Sequence, residues 1–309
     1  MVTLIATCNK LGVPVAPDKS EGPVTRLTYL GIEVDTIQMQ LRLPEEKLRR
    51  VRTTVMEWLG RKAGRRRKLE SLVGLLQHAS KVVRPGRRFV RRIIIVMTAV
   101  KDRDHFVRLN AEIRSDLYWW SEFIVRWNGI GIIPNPQQIV VDIESDASGN
   151  WGCRATWGTQ WLQWKWNSTA QQWGICPKEL LPILLAGVVW GKLWLGKKVR
   201  CHCDNMAVVE VMNNGYSKDK LLMHLVRCLF FISEHFKVQV EAIHCPGRDN
   251  IRADALSWND MARFLQATPG ANQKAAAIPH QLLTLLVDKQ PDWMSPDWTK
   301  LFTACIRQV

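Results

Sequence analysis

Acidic side chains are scarce in this chain: 28 Asp and Glu stand against 43 Lys and Arg, a formal net charge of +15. An excess of that size points to a polyanionic partner. No apolar run reaches the roughly 20 residues that a bilayer crossing needs. The longest, Leu180 to Gly191, is bounded by Glu179 and Lys192, so no membrane span is expected. The eight cysteines follow no regular spacing, and the start, Met1-Val-Thr-Leu-Ile, has neither a charged opening nor a long apolar stretch. A secreted disulfide framework is therefore not expected, and an intracellular setting, cytoplasm or nucleus, is. No internal repeat is present.

With 309 residues and 47% hydrophobic content the chain has enough apolar material for two domains and a tail. The charge is uneven: residues 1 to 138 carry 25 basic and 13 acidic side chains, the remainder 18 and 15. Residues 1–43 alternate apolar and polar positions between Gly and Pro breaks, as in Leu27-Thr-Tyr-Leu-Gly-Ile-Glu-Val34, which predicts short hairpin strands. From Pro44 the period lengthens. Leu69, Leu72, Val73, Leu76, Ala79 and Val83 form one helical stripe, broken at Pro85-Gly86; a second helix runs to about Val100, and a third spans roughly His105 to Trp127. Pro134-Asn-Pro136 is the best boundary, because two prolines interrupt any element there and the period then returns to two.

From 137 to 260 the expected order is strand, strand, strand, helix, strand, helices, strand, helix, with strands at 139–146, 151–157, 160–166, 198–204 and 238–244. That order implies an α+β fold: a five-stranded mixed sheet with flanking helices. Residues 261–309 read as a linker around Thr268-Pro-Gly-Ala-Asn-Gln-Lys274 followed by two short helices, near 278–288 and 296–306, the second opened by Ser295-Pro296.

Four carboxylates sit where this scheme gives them no structural use. Asp146 and Asp204 close strands, Asp254 lies in Asn250-Ile-Arg-Ala-Asp-Ala-Leu-Ser-Trp258, and Glu179 shares a helical face with Ile183, Ala186 and Trp190, so it points to the sheet. Singly, each has an ordinary use as a turn former, a helix-end charge, a cap or a solvated group. Together they suggest bound divalent cations.

The segments Ser145-Asp-Ala-Ser-Gly149, Lys178-Glu-Leu180, Cys203-Asp-Asn205 and Pro246-Gly-Arg-Asp-Asn-Ile-Arg-Ala-Asp-Ala-Leu-Ser257 resemble the ribonuclease H domain of retrotransposon reverse transcriptases, DIRS-type elements above all. The front resembles the end of such a polymerase. Leu11-Gly-Val-Pro-Val-Ala-Pro-Asp-Lys-Ser-Glu-Gly-Pro23 and Leu27-Thr-Tyr-Leu-Gly31 look like the last palm strands and primer grip, and residues 44–136 are similar to thumb and connection.

The resemblance implies a ribonuclease H-like fold and hydrolysis of the RNA strand of an RNA/DNA hybrid. It also implies two Mg²⁺ ions, or Mn²⁺, with Asp146 bridging, Glu179 and Asp204 on one ion and Asp254 on the other. Two features depart from the family. No two aspartates are adjacent, so the polymerase pair is absent and DNA synthesis by this chain is not expected. Gly247 is followed by Arg248 where many ribonucleases H carry a mobile His, with His244 three residues before it, and Trp258 replaces the Arg usual after Ala-Leu-Ser. The rival reading is a catalytically inactive, retroelement-derived nucleic-acid-binding protein or scaffold.

The window 42–92 holds 17 basic and 4 acidic residues, including Arg65-Arg-Arg-Lys68, Arg84, Arg87, Arg88, Arg91 and Arg92. These are expected to clamp a duplex backbone, with Asn205 and Arg248 as contacts nearer the carboxylates, although a solvated face or an import signal would share the composition. Cys201-His-Cys203 with His244-Cys245 invites a zinc reading. Alternation puts both strand cysteines on one face and His202 on the other, which favours buried small hydrophobes. Eight of the 15 tryptophans fall between 151 and 194, and packing between helix and sheet is their expected role.

Overall fold

The computed structural model describes residues 2–132, 139–288 and 296–307. The proline pair at 134–136 and Ser295 lie outside them. Helix α1 (Val2–Lys10) comes first and buries none of its side chains. It falls where strands were expected, because no Gly or Pro interrupts residues 2–10. The hairpin does form: β1 (Arg26–Tyr29) pairs with β2 (Ile32–Asp35) through a two-residue turn in which Leu30 and Gly31 both have positive φ, 47° and 72°. Turns of that hand match the twist of the strands they join. β3 (Gln40–Arg42) extends the sheet.

α2 (Glu45–Leu59) follows, with Pro44 as its cap. A small hairpin pairs β4 (Ala63–Arg65) with β5 (Phe106–Arg108), and between them run α3 (Arg66–Ala79) and α4 (Arg91–Thr98). α3 buries Leu69, Leu72, Val73, Leu76 and Ala79, the expected stripe. The third helix is shorter than expected: α5 (Ala111–Phe123) starts only where the Asn110 side chain accepts a hydrogen bond from the Ile113 amide, since the preceding residues are taken up by β5. β6 (Ile130–Gly131) returns to the first sheet.

The second sheet is the five-stranded mixed layer expected of the α+β reading. Its strands are β7 (Val140–Ala147), β8 (Gly152–Trp157), β9 (Gln160–Lys165), β10 (Lys198–Cys203) and β11 (Gln239–His244), each within about two residues of expectation. In space the order is β11-β10-β7-β8-β9, parallel from β11 to β7 and antiparallel from β7 to β9. After the short α6 (Ser168–Gln171), α7 (Ile175–Trp190) covers one face. It is apolar on all sides because it is sandwiched between β7, β8 and a later helix. α8 (Met206–Asn214) ends at Gly215, whose φ of +67° and closeness to the Arg88 guanidinium leave no room for a β-carbon. α9 (Lys220–His235) packs on α7, and α10 (Ile251–Ser257) closes the opposite face over β7 and β8.

The tail is built into this body. α11 (Met261–Ala267) buries Phe264 against Trp161, and the chain then runs along the outer edge of β9, where the Ala276 amide donates to the Trp161 carbonyl at 2.8 Å. That covers an edge strand that would otherwise be open to pairing. α12 (His280–Leu283) and α13 (Pro296–Arg307) bring Trp298 against His224 and Phe302 against Phe231.

The front helices share a continuous core with the sheet, because α9 is apolar on two sides. Phe123 and Trp127 pack edge-on against Phe231, and Trp119 stacks on Phe89 with ring centres 4.0 Å apart. Trp119, Trp120 and Trp190 are fully buried, the packing role expected of tryptophan. Among the described residues no helix is long and apolar enough to cross a membrane.

Candidate metal centre

β7 and β10 are adjacent and parallel, so their C-terminal ends lie at the same edge of the sheet. The register pairs Glu144 with His202; two residues further on, Asp146 and Asp204 come side by side. Glu179 reaches this edge from the second turn of α7. Lys178, itself buried, ties the helix to the turn after Asp146 by donating to the Gly149 carbonyl at 2.5 Å and to the Gln171 carbonyl at 3.0 Å. From the other face, the buried Asn250 donates to the Ser145 carbonyl at 2.9 Å and anchors α10 against β7.

Ligand atoms of Glu179, Cys203 and Asp204 all lie within 4.8 Å of one another. Asp146 lies outside that 4.8 Å group but close enough to act electrostatically on Glu179, and Asp254 is close enough to act on Asp146. Glu179 is 4% exposed, and its Oε2 makes no hydrogen bond. Burial, reinforced by Asp146 and Asp204, pushes its carboxyl from the usual 4.5 up to about 9. Burial likewise raises Asp146, against the pull of the Ser257 hydroxyl, with Asp204 and Asp254 adding to the rise. A buried carboxylate with one oxygen unpartnered, among like charges, is costly without a cation, although the Ala147 amide offsets part of that cost. Hard oxygen donors of this kind fit Mg²⁺ or Mn²⁺. Cys203 does not fit them: burial and Glu179 hold its thiol well above the ordinary range, so it stays protonated as part of the core.

The proton on Glu179 sets a pH dependence with a definite sign. Its folded pKa lies above the unfolded value, so the stability it contributes is complete below about 4.5 and is lost as pH rises to about 9. In EDTA the protein is expected to melt at lower temperature at pH 8.5 than at pH 6, more so than Glu179→Gln, and Mg²⁺ is expected to close the gap at the higher pH. Equal pH slopes for the two proteins would count against this electrostatics.

Asp254 is placed differently from the other three. Its Oδ1 accepts from the Trp258 indole at 3.2 Å and its Oδ2 from Arg263 Nη1 at 2.8 Å, so both oxygens are engaged. Ser257 and Trp258 belong to a motif visible in the sequence. Arg263 sits on the next helix, and no local pattern marks it. Arg154 was also unmarked: it is fully buried in β8, in register opposite Asp146, with its guanidinium 4.0 Å from the Trp151 ring centre and none of its nitrogens hydrogen-bonded. Burial lowers it to about 10, so it keeps its positive charge beside the carboxylates at neutral pH. Glu144 accepts two hydrogen bonds from Arg252. His244 Nε2 lies 3.1 Å from the Asp204 carbonyl, whereas Arg248 is 86% exposed beside Asp249. Cys201 is core, and His202 on the opposite face meets Asp142 at 2.8 Å.

The basic residues of the front divide in two. Lys68, Arg84, Arg87 and Arg91 are exposed, as are Arg65 and Arg67, which lean on Asp104. Arg66 pairs with Glu70. Arg88 and Arg92 turn inward: the Arg88 guanidinium lies 3.1 Å from the Phe230 ring centre, and Arg92 grips the fully buried Asp116 with two bonds of 2.8 and 2.5 Å. Asn205 caps α8 by accepting from the Val208 amide at 3.3 Å.

No protein-family model and no curated protein matches the chain. Among solved structures it is similar to a foamy viral protease-reverse transcriptase. One is the dRH form in complex with double-stranded DNA, 12% identical with a TM-score of 0.30, covering 71% of this chain and 38% of that one. A second, also with double-stranded DNA, is 14% identical at 0.33, covering 74% and 46%. A third, in complex with an RNA/DNA hybrid, is 13% identical at 0.34, covering 78% and 33%. The chain spans less than half the length of each.

Proposed function

We propose that this chain is a divalent-cation-dependent nuclease that hydrolyses the RNA strand of RNA/DNA hybrids, as the C-terminal part of a retroelement reverse transcriptase of DIRS type. The observation that carries the reading is Glu179: a buried carboxylate with an unpartnered oxygen, within 4.8 Å of Asp204 and repelled also by Asp146, at two strand ends. Asp146 would bridge a pair of cations, Glu179 and Asp204 would complete one site, and Asp254 would serve the second. Bound there, the cations would supply an activated water and neutralise charge on the leaving oxygen. The protein's own share is positioning. The strand edge fixes Asp146 and Asp204, Lys178 fixes the turn that follows Asp146, and the α7 core keeps Glu179 from turning to water. Exposed Lys68, Arg84, Arg87 and Arg91 would hold the duplex backbone.

The test is a labelled RNA/DNA hybrid incubated with purified protein, with and without Mg²⁺, beside retention of the hybrid on a filter. Cleavage of the RNA strand only with Mg²⁺ is the expected result; retention without cleavage at any Mg²⁺ concentration would defeat the nuclease reading. One observation favours the non-cutting alternative: Asp254 already spends both oxygens on Trp258 and Arg263. Retention should fall steeply with salt, and Arg84→Glu with Arg87→Glu should weaken it for any sequence, since backbone contacts carry no base information. A salt-independent affinity would remove these side chains from the interface. Reversal at Arg88 is a poor probe, because that residue packs on Phe230.

A further inference from the structure

One large aromatic at the metal centre is left in water. Trp258, the residue immediately after α10, is 78% exposed. Its indole is nevertheless fixed: Nε1 donates to Asp254 Oδ1 at 3.2 Å, its own amide donates to the Asp254 carbonyl at 3.1 Å, and Arg263 holds the other Asp254 oxygen. The preceding residue, Ser257, donates its hydroxyl to the Asp254 carbonyl at 2.8 Å and lies near enough to Asp146 to offset part of the rise in its pKa. The ring is therefore bonded directly to one of the four carboxylates, and the residue before it is bonded to the backbone of that same Asp254. An exposed indole with one edge tied down keeps an apolar face that can be covered at small cost in side-chain freedom.

We propose that Trp258 is a nucleic-acid contact of this site, its ring packing on the sugar face of a nucleotide beside the phosphate placed at the carboxylates. The bases of a hybrid duplex are already stacked on one another, so the surface open to a fixed ring is the sugar. Arg263 then acts as a positioning residue, holding Asp254 and through it the indole edge. The inference rests on the reading of the site as one that takes RNA/DNA hybrids, but not on whether the hybrid is cut.

The experiment is filter retention of a short RNA/DNA hybrid by the full chain with Ca²⁺ in place of Mg²⁺, so that a divalent cation neutralises the carboxylates, comparing the wild type with Trp258→Ala and Trp258→Phe. Loss of the ring is expected to weaken retention by about tenfold, in the range of aromatic contacts to single nucleotides. Phe keeps the face and loses only the indole hydrogen bond, so it should restore most of the affinity. Because the side chain is exposed, all three proteins should melt alike. Unchanged retention by Trp258→Ala overturns the proposal, and so does a Phe variant as weak as the Ala one, because the bond to Asp254 and not the ring would then matter. A wild type that retains the hybrid and never cuts it in Mg²⁺ defeats the nuclease reading while leaving this contact standing.

Discussion

Replacing Asp204 by Asn is expected to abolish Mg²⁺-dependent cleavage of a hybrid while making the metal-free protein more stable. The two effects have one origin. Asp204 stands with Glu179 inside a group whose ligand atoms lie within 4.8 Å, and its charge is one cause of the raised Glu179 carboxyl. Asn preserves the shape and removes the charge, so the repulsion it exerts on Glu179 and Asp146 disappears. The local backbone should survive, because it is held by the Cys245 amide donating to the Cys203 carbonyl at 3.0 Å and by the carbonyl of residue 204 beside His244. Cleavage should fall on the order of a thousandfold or more, since a cation site supplies several kcal/mol to the transition state. Melting in EDTA at pH 8 should rise, and the rise on adding Mg²⁺ should shrink. An ordinary structural carboxylate would give the reverse, a loss of stability at undiminished activity, and that result would sink the site.

The second large effect lies away from the site. Asp116→Ala is expected to cost about 3–5 kcal/mol, the usual penalty for stripping one partner from a buried ion pair. Asp116 is fully buried in α5, takes two bonds from Arg92 of α4, and lies 3.6 Å from Arg227 of α9, whose side chain is 3% exposed. Burial lowers Arg227 to about 10 even with Asp116 opposing the shift. This carboxylate is thus the electrostatic pin between the front helices and the helix that backs the sheet. Chemical denaturation reads the loss directly. Glu45→Ala, which removes an exposed Arg49 partner at 3.8 Å, should change stability by less than about 0.5 kcal/mol. Comparable losses for the two variants would show that α4, α5 and α9 are held together by apolar packing alone.

Most of the sheet was legible along the chain because its signals are local. Alternation in Ile139 to Asp146 and Lys198 to Asp204 marks strands, and the 3.6-residue stripe of Leu69 to Ala79 marks α3. Where neighbours gave no such pattern, expectation and structure part. α1 lacks a turn former to break it, and α5 begins late because residues 106–108 pair with Ala63–Arg65, a partner some forty positions away. Residues 261–267, given no element of their own ahead of the linker at 268–274, form a helix because Phe264 finds Trp161, which no local window contains.

The same division runs through the candidate site. The amino-acid order by itself determined that Asp146 and Asp204 end strands, that Glu179 lies on the inward face of an apolar helix, and that the front carries the positive charge, since each follows from residue spacing and composition. Only the tertiary structure decided that Glu179 keeps an oxygen without a partner, that Asp254 is held by Arg263 and Trp258, that Arg154 is buried across from Asp146, and that Arg88 and Arg92 face protein while Arg87 faces water. Those outcomes depend on which side chains meet across packed elements and how much water the packing removes, and neither quantity is written in the spacing of residues along one strand or helix.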